Sequence, residues 1–140
     1  MGHSLPATVY RRVVTEADTA AAHDARLPAA ASTPFVLSLV EMACIRSIAD
    51  DLDEGEVTVG TRVVLDHLKP TRVGTKLEAE AALEHYETDK GRYTWTVAVR
   101  ESDRTPGVVV AKETHTRIRL PLAAIRDRLE SSDGGNATSQ

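Results

Sequence analysis

The stretch STPFVLSLVEMAC, residues 32–44, decides how the chain is read. Thr33 stands before Pro34. A hydroxyl residue at a cap followed by a proline is a helix start, because proline's fixed φ suits the first helical position and its missing N–H costs nothing there. The apolar run that follows predicts one long helix, from Pro34 to Leu52. Asp50, Asp51 and Asp53 crowd its far end, just before Gly55. Acidic groups oppose the helix dipole there, so that end is expected to face water. Glu41 interrupts the apolar run. A carboxylate buried without a partner is costly. At ~100° per residue, Arg46 lies about 140° from Glu41 around the helix, and Asp50 about 180°. The neighbours three and four positions away are Leu37, Ser38, Cys44 and Ile45, none of which can pair with it. Glu41 therefore belongs at an oligomer surface or meets a partner from another part of the fold.

Working outward, everything after Gly55 reads as strands. In 57–69 the odd positions Val57, Val59, Val63, Leu65 and His67 share one face by alternation, which turns His67 toward the helix. Residues 76–87 alternate Leu77, Ala79, Ala81 and Leu83 against Lys76, Glu78, Glu80 and Glu84, the pattern of a half-buried strand. Asp89-Lys90-Gly91 and Arg104–Gly107 are turns. They bracket a strand at 92–102, with Tyr93 and Trp95 assigned to the core, and a last strand at 108–120. His115 shares the parity of Arg117 and Arg119, which suggests a solvent or edge face and a structural role. His85, near a strand end, is expected at the surface.

Before the helix, 7–14 can form a first strand. The Ala-rich segment 15–31, broken by Pro28, reads as a loop with one or two helical turns, and Thr15 can cap one of them. Leu122, Ile125 and Leu129 suggest a short amphipathic helix after Pro121. The polar, Gly-rich end is expected to be disordered. The fold class is α+β: an antiparallel sheet wrapped around one long central helix, its last four strands in a meander. A single domain over 1–130 with a disordered polar tail at 131–140 is expected.

The 140 residues carry a net charge of −4, with 41% hydrophobic and 27% charged side chains. That length buries a core without staples. Nothing in the charge points to nucleic acid or to an anionic membrane. The one cysteine, Cys44, excludes an internal disulfide. The first residues lack the apolar core of a signal peptide, and no segment reaches the ~18–20 apolar residues of a membrane span. The expected compartment is the cytoplasm. No cluster has metal-ligand spacing, and there is no phosphate-cradling glycine loop, so no metal and no cofactor is expected.

An inward Glu41 and an inward His67 on facing elements are natural partners. Such a pair is a general acid/base candidate, and equally a structural ion pair. Thr33 is a cap by its position, yet a helix N-terminus also offers N–H groups to a developing oxyanion. Thr33 and Glu41 are eight helical steps apart, ~12 Å along the axis. A site using both must span that gap with substrate, bend the start of the helix, or take one group from a second chain. Lys69, Arg72 and Lys76 crowd one connection and are candidates for holding phosphates.

Four pieces carry a likeness to a known family: VTEADTA (14–20), STPFVLSLVEMAC (32–44), GEVTVGTRVVLDHLKPTRVGTKLEAEA (55–81) and THTR (114–117). Together they resemble the hotdog-fold thioesterases, and within them the fluoroacetyl-CoA thioesterase-like family. The family's Thr, Glu and His fall, in order, on Thr33, Glu41 and His67, and its strand glycine falls on Gly60. The resemblance implies a hotdog homodimer with its active site at the protomer interface. It also implies hydrolysis of a short acyl-CoA thioester. Segment 21–31 carries no aromatic residue that could wall an acyl pocket. Two other readings stay open. One is a hydratase or dehydratase acting on an acyl thioester, against which Asp66 and His67, adjacent in a strand, point to opposite faces. The other is a non-catalytic module that binds acyl-CoA or a carrier protein.

Overall fold

The computed structural model describes residues 7–104 and 107–136, with side chains as far as Ser131. The elements are β1 (Thr8–Val13), α1 (Thr33–Ser47), β2 (Glu56–His67), β3 (Lys76–Glu87), β4 (Arg92–Glu101), β5 (Val109–Pro121) and α2 (Leu122–Asn136). Two short 3₁₀ turns, Glu16–Asp18 and Ala20–Ala22, fill the segment before α1. Thr15 caps the first of them through a reciprocal bond with Asp18.

The five strands form one antiparallel sheet in the order β1-β3-β4-β5-β2. Only β3, β4 and β5 make a meander, so the expected four-strand meander is corrected. The connection at 68–75 is longer than a hairpin loop of 2–5 residues, so β2 need not lie beside β3. β2 instead runs along β5 at the opposite end of the sheet from β1. The connection itself is tied to the start of α1, where the Ala31 N–H donates to the Thr71 carbonyl at 2.8 Å.

The sheet curls around α1, which buries Phe35, Val36, Leu39, Val40, Ala43 and Cys44 against it. Small residues at Ala79 and Ala81 on β3 let the helix sit close, while Tyr93, Trp95, Val97 and Val99 fill the floor from β4. The cap of α1 is Ser32, not Thr33: the Ser32 hydroxyl accepts from the Phe35 N–H at 3.1 Å. Ser32 is itself fixed by donating its N–H to the Asp18 carbonyl, which leaves the Thr33 side chain free for other work. The helix also ends earlier than expected, at Ser47, and continues as a 3₁₀ turn over Ala49–Asp51. Ser47 turns its hydroxyl back onto the Cys44 carbonyl at 2.7 Å and accepts from the Trp95 indole N–H at 2.8 Å. The acidic run beyond it disfavours further α-helix through the dipole.

Two face assignments change. The register of β2 on β5 slips between Gly60 and Arg62, a β-bulge. Cross-strand partners share a face. Gly60 therefore faces inward with Arg117, and beyond the bulge Val63, Leu65 and His67 face inward with His115, Glu113 and Ala111. Val57 and Val59, before the bulge, lie on the other face from His67. On β5 the inward set is Glu113, His115 and Arg117, all buried, so His115 and Arg117 are not on a solvent face. α2 runs on to Asn136, into the segment expected to be a disordered tail; residues 137–140 lie outside the described set. No helix among the described residues is long and apolar enough to cross a membrane.

Candidate active site

The start of α1 carries the first half of the site. Backbone bonds Ser32–Asp18 and Ala31–Thr71 hold the residue before the helix between two loops. Thr33, next in line, meets the end of β2: its Oγ1 lies 2.9 Å from His67 Nδ1. His67 Nε2 is buried and has no partner among the described residues. Such an atom in a folded chain calls for a reason, and a waiting proton donor or acceptor is one. The pair lines an open cavity of about 270 Å³, shared with Ala20, Pro28, Ser32, Leu68 and Lys69 among others. The oxyanion argument narrows here. Pro34 has no N–H, and Ser32 takes the N–H groups of Phe35 and Val36. Among the described residues, the Thr33 N–H is the first-turn donor left without a partner.

Glu41 does not meet His67. Its partner is Arg117 on β5, with Oε2 3.0 Å from Nη1. The Arg117 side chain is 6% exposed and that of Glu41 45%, so the carboxylate stands at the rim of a buried cation. Arg117 also donates from Nε to Thr58 Oγ1 (2.8 Å) and from Nη2 to the Thr58 carbonyl (2.9 Å). Behind it, Nη1 lies 3.2 Å from His115 Nε2, and His115 Nδ1 lies 3.0 Å from Glu113 Oε1. Burial pushes the Glu113 carboxyl above the usual range, against the pull of its bond to His115, and the nearby Glu41 charge adds to the rise. Gly60 lies under the Glu41–Arg117 pair. A Cβ there would be 3.2 Å from Arg117 Nη1 and 3.5 Å from Glu41 Oε2.

The seven residues singled out in the sequence therefore divide. Thr33 and His67 come together at one end of α1, and Glu41 and Gly60 come together at its middle, with Arg117. Lys69 borders the Thr33–His67 cavity, and Arg72 and Lys76 are exposed on the same connection. Among the described residues none of these three cations makes an ion pair. Sequence reasoning missed Arg117, His115 and Glu113. Cys44 is buried, and burial pushes its thiol far up, with Glu113 adding to the rise, so it is no nucleophile. Among the described residues no group of three His, Cys, Asp or Glu side chains is placed to hold a metal ion.

A long helix wrapped by a five-stranded antiparallel sheet in this order is the hotdog fold, shared with thioesterases of known structure. A Thermus thermophilus thioesterase superfamily member superposes with a TM-score of 0.86 at 20% identity, over 98% of this chain and 97% of that one. A point mutant of the fluoroacetyl-CoA thioesterase FlK, in a complex with fluoroacetate, superposes with a TM-score of 0.83 at 22% identity, over 94% of this chain and 98% of that one. The family profile described as fluoroacetyl-CoA-specific thioesterase (FlK) matches residues 14–122, and the chain belongs to that family. The fluoroacetyl-CoA thioesterase of Streptantibioticus cattleyicolor is 31% identical over 77 residues. That match covers 55% of this chain and 54% of the relative, so it spans about half of each.

Proposed function

We propose that the protein hydrolyses a short acyl-CoA thioester to the free acid and CoA, at a site shared by two copies of the chain. The observation that carries this reading is the Thr33–His67 hydrogen bond beside a buried, unpartnered imidazole nitrogen, in a chain of this family. Thr33 Oγ1 bonds the acyl carbon as its proton passes to His67. The C–S bond then breaks, and the departing thiolate takes that proton and leaves as CoA. Water adds to the resulting ester and gives one proton to a base; the bond from the acyl carbon to Thr33 Oγ1 breaks, the base passes that proton to Oγ1, and the free acid leaves. Glu41 is the carboxylate suited to that base, held by Arg117. Lys69, Arg72 and Lys76 supply positive charge for the phosphates of CoA.

The distance between Thr33 and Glu41, ~12 Å along one helix, favours assembly from two chains. β2 has a free edge, and Val63 and Val64 near its middle are 40% and 48% exposed. Exposed apolar residues on an open edge invite pairing. A two-fold axis near these valines would set the Gly60 end of one β2 against the His67 end of the other. Glu41 of one copy would then stand near Thr33 and His67 of the second.

A panel of short acyl-CoAs, followed by release of free thiol, tests the reading. Hydrolysis of at least one ester is expected, and Glu41→Gln and His67→Asn should each lower kcat/KM by about 100-fold or more with the fold intact. Unchanged kcat/KM in Glu41→Gln removes Glu41 from the chemistry. Thermal stabilisation by acyl-CoA without any thiol release replaces hydrolysis with binding alone. Sedimentation should show a dimer, and Val64→Glu should give a monomer with no thiol release.

A further inference from the structure

We propose that Glu113 and His115 are positioning residues, a buried arm on β5 that sets the Arg117 guanidinium and, through it, the Glu41 carboxylate. The inference rests on the proposed hydrolysis for the role of Glu41, but its geometry stands on the chain itself. Both side chains of the arm are fully buried. Their cross-strand neighbours are apolar: Leu65 and Val97 flank Glu113, and Val63 and Trp95 flank His115. A carboxylate buried beside a neutral imidazole among such neighbours is seldom a gain in stability over well-packed apolar side chains. Glu113 carries a further cost, since its Oε2 is buried with no partner among the described residues. Stability alone does not account for the pair.

The hydrogen bonds supply another account. Arg117 only donates. Its Nη1 faces both Glu41 Oε2 and His115 Nε2, at 3.0 and 3.2 Å. His115 Nε2 must then accept, so the imidazole is neutral and carries its proton on Nδ1. That proton points at Glu113 Oε1, 3.0 Å away. A neutral histidine alone is free to hold its proton on either nitrogen, and the carboxylate behind it selects one. With the proton on Nε2, two donors would face each other and the guanidinium would be pushed off Glu41. Glu113 thus acts on Glu41 through two intervening side chains. Thr58 fixes the other edge of the guanidinium, so the arm and Thr58 hold it from two sides.

Glu113→Gln keeps the shape but lets the amide present either an acceptor or a donor to Nδ1. His115→Phe keeps the ring and removes the acceptor. With the acyl-CoA that the wild type hydrolyses best, Glu113→Gln should lower kcat about tenfold and His115→Phe about tenfold or more, with KM within about twofold. In ¹⁵N spectra the Arg117 Nε–H, held by Thr58, should exchange slowly in the wild type and faster in both variants. Thermal unfolding confirms that each variant is folded. Wild-type kcat and an unaltered Arg117 signal in both folded variants overturn the proposal. If the wild type hydrolyses no thioester, the proposed function falls and the Arg117 signal alone decides the arm: faster exchange in the variants upholds it, and no change ends it.

Discussion

Arg117 and Arg119 stand two residues apart on β5, on the same inward face, and they serve different ends. Arg119 is surrounded by acids. Its Nη2 lies 2.6 Å from Glu56 and 3.7 Å from Asp53, and its Nη1 lies 3.6 Å from Asp51. It also donates to the Asp51 carbonyl and to the Tyr93 hydroxyl. These bonds tie β2, β4 and the turn after α1 into one corner. The bond to Glu56 is the main reason its guanidinium holds its proton even more firmly than usual. Arg117 has one carboxylate, half exposed, and an imidazole behind it. One arginine is saturated and closes the fold. The other is held by Thr58 and His115 and carries one half-exposed carboxylate, the group proposed above to take a proton from water.

The largest expected effect lies at Arg117. Arg117→Met should lower kcat/KM by about 100-fold or more, because it frees Glu41 and removes the buried cation at once. Arg117→Lys should recover little, since one ammonium cannot serve Thr58, Glu41 and His115 together. Arg119→Met should do the reverse. It should cost about 2 kcal/mol of stability by chemical denaturation, from lost bonds to charged groups, and leave kcat/KM within about threefold. A folded Arg119→Met that is as inactive as Arg117→Met would erase the distinction between the two.

Much of this was legible in the sequence, and the failures have physical causes. The long helix, the 76–87 strand and the inward His67 follow from period and start signals. The Thr-Pro step points to Thr33 as the cap, but the cap is Ser32, one residue earlier and equally able to accept a hydrogen bond. The error hid why Thr33 is free to meet His67. Glu41 was rightly denied a partner on its own helix. Its true partner was missed because β5 presents two faces of nearly equal polarity: Glu113, His115, Arg117 and Arg119 on one, Lys112, Thr114 and Thr116 on the other. Charge alone places His115, Arg117 and Arg119 outside. An alternation argument also fails across a bulge, so it puts Val57 and Val59 on the face of His67. Gly60, an isolated glycine within a strand pattern, was the available signal for that bulge.

Gly60 gives the next test. Gly60→Ala puts a methyl group 3.2 Å from Arg117 Nη1, so the guanidinium must give way by a few tenths of an ångström. Arg119 lies beyond its reach. kcat should fall by about tenfold while the unfolding midpoint changes little. A drop in stability with unchanged kcat would place Gly60 with the Arg119 corner instead.

The smallest effect, and the most diagnostic in sign, is the pH dependence of stability. Arg119 holds the Glu56 carboxyl below its usual range through a direct hydrogen bond. A native pKa below the unfolded one contributes stability above the ordinary carboxylate range, and that stability is lost as pH falls through the lowered native pKa. Burial holds Glu113 above its usual range. The sign reverses: its contribution is fully present below the unfolded pKa and is lost as pH rises through the raised one. Glu56→Gln should therefore be less stable than the wild type at neutral pH, and the deficit should shrink in acid. Glu113→Gln should gain on the wild type as pH rises from about 4 to about 7, across the range where carboxylates of ordinary and raised pKa lose their protons. Melting temperatures of the three proteins across that range separate the outcomes. A Glu113→Gln protein that is stabler at neutral pH and slower in kcat shows a carboxylate kept at the expense of stability, as a positioning residue should be. One that loses stability in step with Glu56→Gln makes Glu113 another fastening of the fold.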